Sequence, residues 1–188
     1  INDQGVVTVW DLASKENPIA DQQFIGGTQR ILGLAFSPDS KHLAAAGDEK
    51  KIFIWDPQSC CETVKEFEID NKARSLKFVT MNGKEYIAIA SGQQITFWDS
   101  STGKKNEALT LQISTSDETV RLLSLAVSPT NDMVAAGSED GNITVWELKT
   151  KEFKFQACSF GDPETNNEEI CKVNGDGETD IRGLAFNA

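Results

Sequence analysis

Apolar and polar positions along the chain fall into a pattern that repeats rather than one that runs through once. Short apolar runs recur at Ile31–Phe36, Leu76–Phe78, Leu122–Val127 and Ile181–Phe186. The first three runs are each followed by a turn: Ser37-Pro38-Asp39-Ser40, Asn82-Gly83 and Ser128-Pro129-Thr130-Asn131. Proline presets φ, and Asn and Gly tolerate positive φ, so these segments predict hairpin turns. A strand of small residues comes next, Leu43–Gly47, Ile87–Ala90 and Met133–Gly137, then a tight polar turn. The last element alternates with period 2 and carries a tryptophan: Ile143 and Val145 against Thr144 and Trp146 in one copy.

The four tryptophans, Trp10, Trp55, Trp98 and Trp146, are 45, 43 and 48 residues apart. Each follows Val9, Ile54, Phe97 or Val145 and precedes an acid, Asp11, Asp56, Asp99 or Glu147. From Leu34 to Trp55 is 21 residues, from Leu76 to Trp98 is 22, and from Leu125 to Trp146 is 21. This constancy marks a three-stranded invariant part. The segments from each tryptophan to the next apolar run vary, at 24, 21, 27 and 38 residues. Each has room for a further strand, such as Cys61–Ile69, Glu107–Ile113 or Glu152–Ser159. The predicted unit is a four-stranded antiparallel sheet, and stacked copies would bury the faces that a single sheet leaves open.

The strings Gly33-Leu-Ala-Phe-Ser-Pro-Asp-Ser-Lys41, Ile52-Phe-Ile-Trp-Asp56 and Ala135-Ala-Gly-Ser-Glu-Asp-Gly-Asn-Ile-Thr-Val-Trp-Glu147 resemble the WD40 repeat over essentially the whole chain. The resemblance implies an all-β protein, a β-propeller of four-stranded blades, each variable strand forming the outer edge of its blade. The expected division is a partial blade over 1–26, blades over 27–70, 71–115 and 116–160, and over 161–188 an acidic insertion with the first strand of the next blade. This inventory reads as part of a longer chain; the alternative is a four-bladed ring closed by pairing 1–25 with 181–188. The family often has Gly-His before the channel strand, where this chain has Gly26-Gly27, and its one histidine, His42, lies in another slot. The aspartate six residues before Trp is present as Asp140, while Gln4, Glu49 and Gly92 stand elsewhere. The family's His–Ser/Thr–Asp–Trp network is therefore incomplete in every unit, and apolar packing is expected to carry the blades. Trp10, Trp55, Trp98 and Trp146 are expected to lie between blades as structural residues.

Composition narrows the function. With 18 basic and 29 acidic residues the net charge is −11, which argues against nucleic acid or an anionic membrane as partner. No run approaches transmembrane length. The cysteines, Cys60, Cys61, Cys158 and Cys171, show no C-x-x-C spacing and have no paired histidines, so no metal is expected. They read as free thiols of a cytoplasmic protein, the alternative being a Cys158–Cys171 pair in an oxidising compartment. No nucleophile elbow, phosphate loop or H-E-x-x-H appears, so neither enzyme activity nor a cofactor is expected.

Two features break the regularity. The enlarged connection Gly161–Asp180 holds Asp162, Glu164, Glu168, Glu169, Asp176, Glu178 and Asp180 against Lys172. It reads either as a solvated insertion or as an arm that steers a basic partner. Within it, Asn174, Asp176, Glu178 and Asp180 alternate as in calcium loops. However, Thr179 replaces the required glycine and Ala185 the terminal glutamate, which argues against calcium. The second feature is basic: Arg30, Lys72, Arg74, Arg121 and Arg182 each lie within four residues before the leucine of an apolar run. These cations either pair with acids of neighbouring turns such as Asp48, Glu49 or Glu139, or recognise a carboxylate or phosphorylated peptide. The resemblance implies a non-catalytic scaffold for protein–protein interaction, docking partners on the face of the channel-strand entries. The alternative is the ligand-sensing propeller of a larger signalling or defence protein, since SPDSK-type turns also resemble repeats that bacterial proteins join to NTPase, caspase-like or TIR effector domains.

Overall fold

A computed structural model describes residues 5–10, 20–27, 29–58, 63–158 and 180–186. The described residues form fourteen strands and no helix. They are β1 (Val6–Trp10), β2 (Ala20–Ile25), β3 (Ile31–Phe36), β4 (Leu43–Gly47), β5 (Lys51–Trp55), β6 (Thr63–Glu68), β7 (Ser75–Met81), β8 (Lys84–Ser91), β9 (Gln94–Asp99), β10 (Lys105–Gln112), β11 (Leu122–Val127), β12 (Met133–Ser138), β13 (Asn142–Glu147) and β14 (Phe153–Cys158). The apolar runs of the first three units, the small-residue strands and the tryptophan strands all form where the alternation places them. The chain folds as two compact units, Ile1–Phe78 and Val79–Ala188, which divide within β7.

In the first unit β1 pairs with β2, and β3 to β6 form a four-stranded antiparallel sheet in sequence order. The core holds Val7, Phe24, Ile31, Leu43, Ala45, Phe53 and a fully buried Trp55. Phe24 meets the indole at a ring distance of 5.5 Å and Phe53 stacks on it at 6.0 Å. This packing explains Gly26. A Cβ on Gly26 would lie 2.7 Å from Ile31 Cδ1 and 3.0 Å from the Trp55 ring, so the aromatic cluster occupies the space a side chain would need.

In the second unit the sheet orders are β10–β9–β8–β7 and β11–β12–β13–β14. One core joins Phe97, Leu109 and Leu111 to Leu122, Leu125, Val134 and Trp146. The small residues of β8 and β12, such as Ala88, Ala90 and Ala136, lie fully buried among these larger side chains. The turns follow their sequence chemistry. Asn82 and Gly83 both have positive φ, at 51° and 72°, as a two-residue hairpin requires. Ser40 and Asn131 take the left-handed position in the Ser-Pro turns. Ser37 Oγ donates to Asp39 (2.7 Å), and Ser128 Oγ donates to Asp132 (2.5 Å).

Two segments depart from the regular pattern. Ile181–Phe186 is not a strand in the structure, although Ile181 N donates to Ser138 O (3.1 Å). Trp10 is 52% exposed, unlike the buried Trp55, Trp98 and Trp146. With the histidine absent, the indole N–H groups turn to threonine: Trp55 Nε1 donates to Thr63 Oγ1 (3.2 Å) and Trp98 Nε1 to Thr96 Oγ1 (3.1 Å). Asp140 accepts instead from Ser138 Oγ and from Asn142 Nδ2 (2.8 Å).

Candidate functional site

The basic positions are organised by a backbone frame at the entry to each apolar run. Counting back from the leucine of the run, the residue four before it is Arg30, Lys72, Arg121 or Asp180. In the first unit Asp48 N donates to Arg30 O (3.0 Å), and Ala73 N donates to Gly47 O (3.1 Å). The turn after β4 is thereby tied to the start of its own repeat and to the start of the next. The approach is so close that a Cβ on Gly47 would overlap the Arg30 carbonyl oxygen. In the second unit Glu139 N donates to Arg121 O (2.9 Å) and Ile181 N to Ser138 O (3.1 Å). Ser124 Oγ adds a bond to Ile181 O (2.6 Å). The two frames match residue for residue, and a third contact, Leu122 N to Gly92 O (2.8 Å), has the same register.

Side chains on the two frames differ. In the first, Arg30 Nε lies 3.2 Å from Asp48 Oδ2, and Lys72 Nζ lies 3.2 Å from Asp48 Oδ1. One carboxylate thus holds cations from two successive repeats. Its side chain is 18% exposed, against 55% for Arg30 and 59% for Lys72. Burial raises the Asp48 pKa, but the Lys72 and Arg30 contacts outweigh it and leave the carboxyl below its usual range. Arg30 is bound through Nε, and its Nη groups make no hydrogen bond among the described residues. Arg74 follows two residues after Lys72 and is half-buried.

In the second frame the residue at the Lys72 position is Asp180, which accepts from Arg182 Nε (3.1 Å) and Nη2 (2.6 Å). Arg182 therefore corresponds to Arg74, two residues further on, and not to Arg30. Recurrence within a four-residue window hid this, because a window does not distinguish registers. Arg121 is exposed. The structure brings Arg30 and Lys72 together on Asp48 and pairs Arg182 with Asp180. Asp162, Glu164, Glu168, Glu169, Asp176 and Glu178, Lys172 and the calcium-loop positions Asn174 and Thr179 lie outside the described residues, as do the cysteine side chains. Sequence reasoning missed the shared role of Asp48, although the acid in the turn between β4 and β5 was the signal available.

Other charged clusters serve turns. Asp99 accepts from Ser101 Oγ (2.6 Å), from Lys84 Nζ (3.0 Å), and from the Ser101 and Thr102 amides (both 2.9 Å). The Ser101 hydroxyl and Lys84 do most to hold this carboxyl far below the usual range, against the opposing effect of burial. Among the described residues no group of three or more His, Cys, Asp or Glu is placed to hold a metal ion. No helix among them is long and apolar enough to cross a membrane.

A family model described as "WD domain, G-beta repeat" matches residues 21–56 and 109–147. The chain is 29% identical over 151 residues to Periodic tryptophan protein 2 of Arabidopsis thaliana, covering 80% of this chain and 16% of that protein. It is 27% identical over 132 residues to WD repeat-containing protein slp1 of Schizosaccharomyces pombe, covering 66% of this chain and 25% of the relative. The chain thus spans a quarter or less of the length of these relatives. Among solved structures, the β-propeller domain of Cps50 (Swd1) from Myceliophteria thermophila superimposes with a TM-score of 0.66 at 18% identity, over 83% of this chain and 49% of that one. At this identity the likeness shows the fold alone: the four-stranded sheets are blades of a β-propeller.

Proposed function

The chain carries WD40 repeats, and from that premise we propose that it is a non-catalytic platform for protein–protein interaction, docking its partner at the entries to the apolar runs. The observation that carries this reading is the pair of exposed cations, Arg30 and Lys72, held on one carboxylate beside main-chain bonds that use only N–H and C=O groups. Arginine matches carboxylate or phosphoryl oxygens with its planar fork, and lysine adds a mobile point charge.

The test is affinity capture with the full chain and with an Arg30→Glu, Lys72→Glu variant, each checked by thermal melting. We expect a discrete set of proteins to be lost from the variant while its Tm stays near wild type. Retention of the same set, or unfolding of the variant, would make these cations structural.

A further inference from the structure

The two matching frames carry opposite charges at one position, and this assigns that position a role that neither frame shows alone. The first frame carries Arg30, Lys72 and Arg74 at its entries and Asp48 and Glu49 in its turn, a net charge of +1, with Arg30 and Lys72 paired to Asp48. The second carries Arg121, Asp180 and Arg182 at its entries and Glu139 and Asp140 in its turn, a net charge of −1, with Arg182 paired to Asp180. The backbone contacts agree to within about 0.1 Å, so strand placement does not cause the difference. The change that reverses the sign of charge is Lys72 in one frame and Asp180 in the other.

We propose that the residue four before the apolar-run leucine is the specificity switch of these junctions: lysine at 72 opens the first to an acidic peptide segment, and aspartate at 180 closes the second. The inference rests on the docking reading above and names the chemistry of its partner. Asp48 is a positioning residue. It fixes Arg30 by Nε and Lys72 by Nζ, which reduces the rotamer freedom that binding would otherwise have to remove. The Arg30 Nη groups and the exposed Lys72 head then receive two carboxylates of an extended acidic segment. In the second junction Asp180 Oδ2 accepts from both Nε and Nη2 of Arg182 and adds a negative charge that repels such a segment.

The experiment measures fluorescence anisotropy of a labelled hexaglutamate peptide against the full chain, Lys72→Asp, Lys72→Arg and Asp180→Lys, with the Tm of each protein recorded. Wild type should bind one peptide, more weakly as salt rises. Lys72→Asp should bind about tenfold more weakly, and Lys72→Arg should retain binding. Asp180→Lys should bind a second peptide. Unchanged binding by Lys72→Asp, or unchanged stoichiometry in Asp180→Lys, overturns the switch. If Lys72→Asp melts early, Asp180→Lys decides, because it changes the other junction. Absence of peptide binding by well-folded wild type overturns the acidic-segment docking reading itself. A single-stranded oligonucleotide bound as tightly as the peptide, and equally by all variants, would reduce the site to nonspecific charge.

Discussion

The junction at Asp48 and the junction at Glu139 have the same backbone bonds, Asp48 N to Arg30 O and Glu139 N to Arg121 O, and different side-chain charges. At the first, one carboxylate gathers cations from two repeats; at the second, Asp180 engages Arg182 two residues away. The comparison teaches that in this chain the frame stays constant while the charge varies, and our proposal assigns the charge to recognition. A repeat can keep its main-chain bonds and exchange the residue that faces a partner, because the bonds use N–H and C=O groups that every residue other than proline carries.

The most disruptive way to break the comparison is to attack the frame itself. Gly47→Ala places a Cβ against the Arg30 carbonyl, and we expect a loss of about 1–3 kcal/mol in chemical denaturation. A variant as stable as wild type would show that the frame yields easily. Removing the shared carboxylate should cost less. Asp48→Asn is expected to lower stability by about 1 kcal/mol near neutral pH, since its partners are largely exposed. The sign with pH follows from the depressed folded-state pKa of Asp48. Its contribution is present above the unfolded value of ~3.9 and is lost as pH falls through the lower folded value, so the mutant and wild-type melting curves should converge in acid. A gap that stays constant down to acid would contradict the ion-pair account.

Much of this architecture was legible in the chain. The phase of Trp55, Trp98 and Trp146 against Leu34, Leu76 and Leu125 located the strands, because side-chain alternation and turn chemistry are local properties. Asn82-Gly83 announced its hairpin for the same reason. The exposure of Trp10 was not legible, since burial depends on what packs over a face and not on the strand that carries it. Nor was the state of Ile181–Phe186, which has the composition of β3 but forms no strand. Of the candidate site, the cations were legible as a class. Their register was not: placing Asp180 opposite Lys72, and Arg182 opposite Arg74, requires the bonds from Ala73 and Ile181 to the preceding repeat.

Amide hydrogen exchange at Asp48, Ala73, Glu139 and Ile181, compared between wild type and Lys72→Asp, tests most directly whether frame and charge are separate. All four N–H groups are bonded in the frames, so all four should exchange slowly in both proteins even after the charge at the first junction is reversed. Loss of protection at Asp48 and Ala73 in the variant, with Glu139 and Ile181 unchanged, would show instead that the cations hold the first frame together and that the two roles are one.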